Sequence, residues 1–443
     1  MPMNKAYYIT AADLSARGAN NIPSELVSGE HLIYSSPATL AFNSPGAQGF
    51  GVKRAGLAIP GSVMLLVAPG CCGRNTTMLS ETGGYSDRFF YLMLDDTDIV
   101  TGRHLSKIPQ AVKEVCDACK TAPTAVMICI TCVDALLGTD MERVCRKATE
   151  FADVPVVPCY MYALTREGRL PPMAAVRQSV YSLLTPTKRR ADAVNILGHF
   201  APLDDDCEIY ELLKNAGVKH VREISRCADF DEYMKMSQAN FNIVINPESR
   251  YAAQDFEKRL GIPNIEMSRM YRIDKIRTQY RLFAQAVGAE FDDNKYYDEA
   301  QQAVDAFRSK HGKLNFAVGE MSNADPFELS VALIKYGFSV GEIYGTVGDG
   351  NFAYIKMIAQ ISPETKIYSN LSPTMLYYDS CDTKIDCAIG KDAMYYHQDC
   401  AGIGWSSERQ PFGYEGVRRL FNELDAALEG FCGKGKTVCE EKQ

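Results

Sequence analysis

Several things are scarce in this chain of 443 residues, and each scarcity removes a class of function. No block of Lys and Arg occurs, and 47 basic residues against 55 acidic ones leave a formal net charge of −8. A nucleic-acid surface or an anionic membrane is therefore not the expected partner. No apolar run approaches the roughly 18 residues needed to span a bilayer. The opening stretch, Met1 to Gly18, lacks the apolar core of a signal peptide. The histidines (31, 104, 199, 220, 311 and 397) stand singly, with none of the close spacing of a metal-binding pair. No heptad seam, short-period repeat or low-complexity tract appears.

Cysteine, by contrast, is plentiful, with 15 residues. In a chain expected to stay in a reducing, cytoplasmic setting these are thiols rather than disulfides. Most are expected to be small buried hydrophobes, and Cys129, inside an apolar run, is the type. The length calls for two to four domains.

From Ser62 onward, short β-branched apolar runs alternate with amphipathic stretches, the pattern of βαβ units. The fold class expected is α/β, with three Rossmann-like parallel-sheet domains around a central cleft. Their bounds are 1–190, 191–312 and 313–443. The first contains the strands Ser62–Val67, Ala125–Ile130 and Val154–Pro158 and the helices Pro109–Cys119, Met141–Phe151 and Pro172–Leu184. It ends at the polar Thr185–Arg190. The second opens with Ala193–Leu197, and Asp204 to Asp206 begin its helix Cys207–Ala216. The strands Val218–Ile224, Phe241–Ile245 and Asn264–Met267 and the helices Asp229–Gln238 and Ala252–Leu260 follow. Helices Ile273–Val287 and Tyr296–Ser309 bridge to the third block. That block has strands Leu314–Val318 and Val340–Tyr344, a helix from Pro326 and a last helix Tyr414–Leu428, with a frayed tail Gly433–Gln443.

Two of these strands each deliver a cysteine to the loop beyond the carboxyl end, where open α/β sheets place ligands. Ser62–Val67 runs into Ala68-Pro69-Gly70-Cys71-Cys72-Gly73, and Ala125–Ile130 runs into Thr131-Cys132. Thiols presented in this way point to soft-metal chemistry, with iron–sulfur as the first candidate. A cubane cluster needs four thiolates, so Cys72 and Cys132 call for a matching pair from a second chain across a two-fold axis. Cys71, next to Cys72, is a conditional third ligand. The lone Cys116-x-x-Cys119 sits in a helical stretch and reads as structural, and Cys381, Cys387 and Cys400 are looser still. Asp134 and Asp140 read as helix caps. Gly430 to Thr437 matches a phosphate loop literally, but a helix precedes it where a strand is required, so ATP hydrolysis is not expected. His397 lies in Tyr395-Tyr396-His397-Gln398-Asp399, an aromatic polar cluster of the kind that lines pockets.

With these motifs in place the chain resembles the nitrogenase component 1-type oxidoreductase superfamily. Ala-Pro-Gly-Cys-Cys72-Gly resembles the family's cluster loop, and Thr131-Cys132-x4-Leu137-Gly138-Thr139-Asp140 resembles its second. Leu260-Gly261-Ile262-Pro263 fits the second-domain signature. Gln410-Pro411-Phe412-Gly413-Tyr414-Glu415-Gly416 is similar to the segment opening the last helix. The resemblance implies a 4Fe-4S cluster shared between subunits, bound through Cys72, Cys132 and conditionally Cys71. It also implies a second component 1-type chain, in a homodimer or heterodimer, and electrons from an iron-protein-type ATPase reductase. Candidate cleft residues are Arg250, His397 and Arg409, facing a small-molecule substrate or a tetrapyrrole-like cofactor.

Departures from the family pattern narrow the reading. No cysteine stands in Tyr34–Ala38, where the earliest cluster ligand falls, so an eight-iron cluster is not expected. None stands in Ile245–Arg250, where the molybdenum–iron cofactor is anchored, and Phe412 aligns with the histidine at that cofactor's other end. No FeMo-type cofactor and no dinitrogen reduction are therefore expected. The leading reading is a reductase subunit passing electrons to a substrate other than dinitrogen. The alternatives are a non-catalytic scaffold for metallocofactor assembly and a metal-free small-molecule binder.

Overall fold

A computed structural model of the chain describes residues 5–27, 36–42, 55–70, 84–131, 133, 137–160 and 170–440. Among them are three sheets, of six, four and four strands, and every pairing is parallel except that of the first strand, β1 (Ile9–Thr10). The architecture is α/β with several parallel sheets, as expected. The chain divides into two compact units. One comprises Met1–Ser44, Leu203–Ala216 and Arg269–Gln443, and the other Pro45–Pro202 and Gly217–Ser268.

The second of these units holds the two four-stranded sheets. Strands β2 (Val63–Pro69), β3 (Phe89–Leu94), β4 (Val126–Ile130) and β5 (Val156–Tyr160) lie in the order β3-β2-β4-β5. Both faces are covered, which is why β2 reads as an unbroken apolar run. Val63, Leu65 and Val67 pack with Ile108, Val112 and Val144, from the helices His104–Ala118 and Met141–Ala152. Met64, Leu66 and Ala68 face the opposite way, toward Val176 and Val180 of the helix Pro172–Val180. Each such side chain contributes about 1.5–3 kcal/mol by leaving water.

That second layer continues into the other sheet, of β6 (Ala193–Leu197), β7 (His220–Arg222), β8 (Phe241–Val244) and β9 (Asn264–Glu266), ordered β7-β6-β8-β9. Leu197, Val244 and Phe256 belong to the same apolar cluster as Met64 and Leu66. The Leu260-Gly261-Ile262-Pro263 signature has a backbone explanation. The helix Arg250–Asp255 passes into a π turn, Phe256–Leu260, and Gly261 closes it in the left-handed region at φ 70°. Glycine adopts that conformation without cost. Ile262, fully buried, then re-enters the core.

The six-stranded sheet belongs to the first unit. Strands β10 (Asn315–Gly319), β11 (Ser339–Tyr344), β12 (Lys366–Tyr368), β13 (Cys387–Ile389) and β14 (Ala401–Ile403) join β1 in the order β1-β12-β11-β10-β13-β14. Neither β1, β3, β12, β13 nor β14 was expected from the sequence. The last three are only three residues each, too short to establish a period. Two further differences concern helices. His104–Ala118 begins five residues before Pro109, which lies inside the helix, past its first turn, at the loss of one ladder hydrogen bond. The last helix, Gly413–Glu440, continues into the tail expected to fray from Gly433, as far as Glu440. The phosphate-loop look-alike, Gly430 to Thr437, therefore lies inside a helix, where its amides serve the helical ladder.

Gly413 explains the last family motif. It opens the helix at φ 64°, and a Cβ there would collide with the Glu208 carboxylate and the Tyr280 hydroxyl. Glu208 itself is 2% exposed and accepts from the backbone N–H of Tyr414 (2.7 Å) and Glu415 (3.1 Å) and from the Tyr280 hydroxyl (2.6 Å). It caps the helix from another element of the same unit. Gly413→Ala is expected to cost at least about 1–3 kcal/mol from the left-handed backbone alone. Gly430→Ala, in open space on the same helix, is expected to be neutral or to stabilise by up to about 1 kcal/mol. Urea unfolding of the two variants measures the contrast.

Candidate functional site

The carboxyl ends of β2 and β4 define the site. The two strands are hydrogen-bonded neighbours in unbroken register, from Val63↔Val126 to Val67↔Ile130. Strand β3 lies on the far side of β2, and β5 on the far side of β4. In this order the next strand in sequence lies to one side of the pair for β2 and to the other side for β4. This is the topological switch point at which open α/β sheets bind ligands. Cys71 directly follows Gly70, and Cys132 directly follows Thr131. Cys71, Cys72 and Cys132 themselves lie outside the described residues. Thr131 is 2% exposed, and its hydroxyl has no hydrogen-bond partner among the described residues. The Tyr91 hydroxyl donates to the Ala68 carbonyl at 3.0 Å and braces the end of β2.

Most of the described cysteines behave as packing residues, while Cys381 is exposed. Cys129 is fully buried in β4. Burial pushes the Cys116 and Cys119 thiols up, the opposite of what an activated Cys-x-x-Cys pair requires. Burial likewise pushes Cys145 up to about 12. No group of three or more His, Cys, Asp and Glu among the described residues is placed to hold a metal ion.

The residues expected to line a cleft have other engagements. In the second unit Arg250 pairs with Glu266 (Nε to Oε2, 2.9 Å). In the same unit, the anchor segment Ile245–Arg250 is held by its own bonds. Ser249 Oγ donates to the Gly198 carbonyl at 3.0 Å, and Arg177 bridges that carbonyl (2.5 Å) and Glu248 (2.9 Å). The buried Arg177 guanidinium also stacks on Phe200, 4.7 Å from the ring centroid. In the first unit Arg409 pairs with Asp205 at the surface. Phe412, where the family pattern has a histidine, is 2% exposed and apolar, and so cannot ligate a metal.

His397 corrects the pocket-lining expectation. It is 6% exposed, and its Nε2 lies 3.0 Å from Glu342 Oε2, from the Tyr344 hydroxyl and from the Tyr378 hydroxyl. Glu342, fully buried on β11, also accepts from those two hydroxyls, at 2.6 and 2.7 Å. Burial alone would push its carboxyl up, but the bonds from His397 and the tyrosines outweigh it and hold Glu342 below the usual range. Sequence reasoning missed this pair. Its members are 55 positions apart, and a single Glu inside an apolar strand carries no local sign of its partner.

Comparison with known proteins adds what the geometry leaves open. The family model of the nitrogenase component 1 type oxidoreductases matches residues 47–429. The nitrogenase iron-molybdenum cofactor biosynthesis protein NifE of Sinorhizobium fredii is 24% identical over 363 residues, 76% of this chain and 71% of that protein. NifE of Rhizobium meliloti is 30% identical over 162 residues, 35% of this chain and 34% of that protein. NifE of Clostridium pasteurianum is 26% identical over 200 residues, covering 44% and 43%. The last two alignments thus span less than half of each relative. Nitrogenase Cp1, solved at pH 6.5, superimposes with a TM-score of 0.68 at 16% identity, covering 93% of this chain and 96% of that one, a likeness of fold.

These relatives overturn the expectation of a catalytic reductase subunit, since they are cofactor biosynthesis proteins.

His397→Phe is expected to leave Glu342 buried without its nitrogen partner and to cost about 3 kcal/mol at pH 7. A carboxylate held below its ordinary value stabilises above that value and loses its contribution as pH falls. The penalty should therefore shrink as pH drops below 4.5, Glu342's ordinary value. Denaturant unfolding of both proteins at pH 7 and pH 4 checks the sign.

Proposed function

Since the chain belongs to the nitrogenase component 1-type oxidoreductase family, we propose that it is a non-catalytic scaffold on which a metallocofactor is assembled or held before transfer. The observation that carries this reading is the 24% identity to a cofactor biosynthesis protein over 76% of the chain. Retention of the fold over nearly its whole length supports it too.

The resident group in this reading is an iron–sulfur cluster, with Cys72 and Cys132 as ligands and Cys71 in reserve. A second component 1-type chain completes the four-iron coordination. The described residues fit such a group. The strands preceding the cysteines end side by side, and Gly70 leaves open space, with Met93 Sδ 3.8 Å from where a Cβ would stand. The cluster, when bound, would supply one-electron chemistry to the cargo.

Cargo is a separate matter from that resident cluster. A scaffold must let go, and strong thiolate or imidazole ligation opposes release. Here Ile245–Arg250 contains no cysteine, and Phe412 offers no nitrogen. Hydrogen bonds and charge would then hold the cargo, which suits a transient passenger better than a permanent one.

Transfer against turnover tests the proposal. Protein purified anaerobically with isotopically labelled iron is mixed with a cofactor-free acceptor of the same family. In parallel it is given an iron-protein-type reductase, ATP and candidate substrates. The expected outcome is label on the acceptor and no substrate consumed. Sustained substrate reduction with all label retained would contradict the scaffold reading.

A further inference from the structure

Five tyrosines of the first unit stand ring to ring and lead from the surface to the Glu342–His397 pair. Strand register sets them there. β11 and β12 pair with Tyr344 opposite Tyr368, and β1, which directly follows Tyr8, pairs with the other edge of β12. Ring centroids are 5.5 Å apart from Tyr8 to Tyr368, 5.5 Å from Tyr368 to Tyr344 and 5.0 Å from Tyr344 to Tyr396. Tyr378 lies 4.7 Å from Tyr396 and 5.4 Å from Tyr368. These separations are those of direct aromatic contact. Tyr8 is 41% exposed, whereas Tyr344 is fully buried and Tyr368 nearly so. Small residues, Ala317, Ala388 and Ala393, share this core layer. Phenylalanine would fill the same space without the cost of burying hydroxyls, so packing alone does not account for the phenols.

The hydroxyls supply what ring contact alone lacks. A phenol that loses an electron becomes a strong acid, and the radical persists only where a base within hydrogen-bond reach takes the proton. Tyr344 and Tyr378 donate to Glu342 Oε2 at 2.6 and 2.7 Å, and Glu342, held below its usual range, is ionised at neutral pH. Burial and the Glu342 charge push both phenols far up, so neither ionises first, and electron and proton must leave together. Charge grades the path as well. The Lys366 ammonium sits 4.9 Å from the centre of the Tyr8 ring and opposes further positive charge there. The Glu342 carboxylate favours it at the buried end.

We propose that this cluster is a redox-active site that draws oxidising equivalents from small one-electron oxidants at the surface, through Tyr8 and Tyr368, to Tyr344 and Tyr378. The oxidant removes one electron at Tyr8, and each inner tyrosine then reduces its outer neighbour. Tyr344 is left a neutral radical with its proton on Glu342, and the oxidant is reduced by one electron. A soluble thiolate returns one electron along the same rings, and the proton passes back from Glu342 to the phenol oxygen. Two thiyl radicals formed in this way couple as a disulfide. The inference does not rest on the scaffold reading.

Flash-quench oxidation of the full-length protein tests this. A ruthenium tris-bipyridine photosensitiser with a cobalt(III) quencher supplies the oxidant, and electron paramagnetic resonance follows tyrosyl radicals in samples frozen at set delays. The parent is expected to give a slowly decaying radical beside the brief signal of exposed tyrosines. Tyr344→Phe combined with Tyr378→Phe is expected to shorten the slow signal at least about tenfold, as is Glu342→Gln, which keeps the shape but takes no proton. Tyr8→Phe, at the surface, leaves the buried rings in place and is expected to lower the yield of the slow signal without changing its lifetime. It tests the site even if the buried variants disturb folding, which circular dichroism reports. The proposal is overturned if the parent shows no slow component, or if that component is unchanged in the well-folded variants.

Discussion

The register between β2 and β4 is the constraint on which the functional reading rests. Five consecutive residue pairs, buried on both faces, fix these strands side by side. A slip of one residue would turn Met64 and Leu66 into the space of Val63 and Leu65 and disrupt both apolar clusters. The described residues that lead into the cysteine loops, Gly70 and Thr131, thus follow strands whose positions are set by core packing.

A second constraint governs the first unit. Glu208, Tyr280 and Gly413 form an interlock in which one carboxylate caps the last helix and the absent Cβ of a glycine makes room for it. Glutamate is seldom fully buried, and here three donors offset its desolvation. The interlock ties the segment Leu203–Ala216 to a helix about two hundred positions later in the chain. The motif around Gly413 is therefore architectural. The same economy appears at Glu342 and His397, where a buried acid is retained because hydrogen bonds surround it.

What the sequence disclosed follows the physics of each element. The long β-branched runs of β2, β4, β6 and β8 were legible because a strand buried on both faces must be apolar throughout. The glycines of Gly261 and Gly413 were legible as motifs, though their reasons, a left-handed cap and a carboxylate's close approach, needed coordinates. β3, Phe89–Leu94, was missed because it is a sheet-edge strand with three partly buried residues and an exposed Met93, so no clean period develops. β12, β13 and β14 owe their existence to neighbours rather than to local propensity. His397 misled because an aromatic polar string is equally the composition of a pocket wall and of a satisfied core network. The departures at Ile245–Arg250 and Phe412 were visible from the start. Their weight shifted from an altered substrate to a non-catalytic role once the relatives were known.

In the proposed scaffold the thiol loops hold a resident cluster and the unanchored positions face transient cargo. Mössbauer spectroscopy of the anaerobically purified protein, beside its Cys72→Ser and Cys132→Ser variants, addresses the central claim most directly. The account predicts an iron–sulfur signal in the parent that is largely lost in either variant while the fold persists. A parent devoid of iron, or a cluster signal unchanged when both cysteines are replaced, would contradict it.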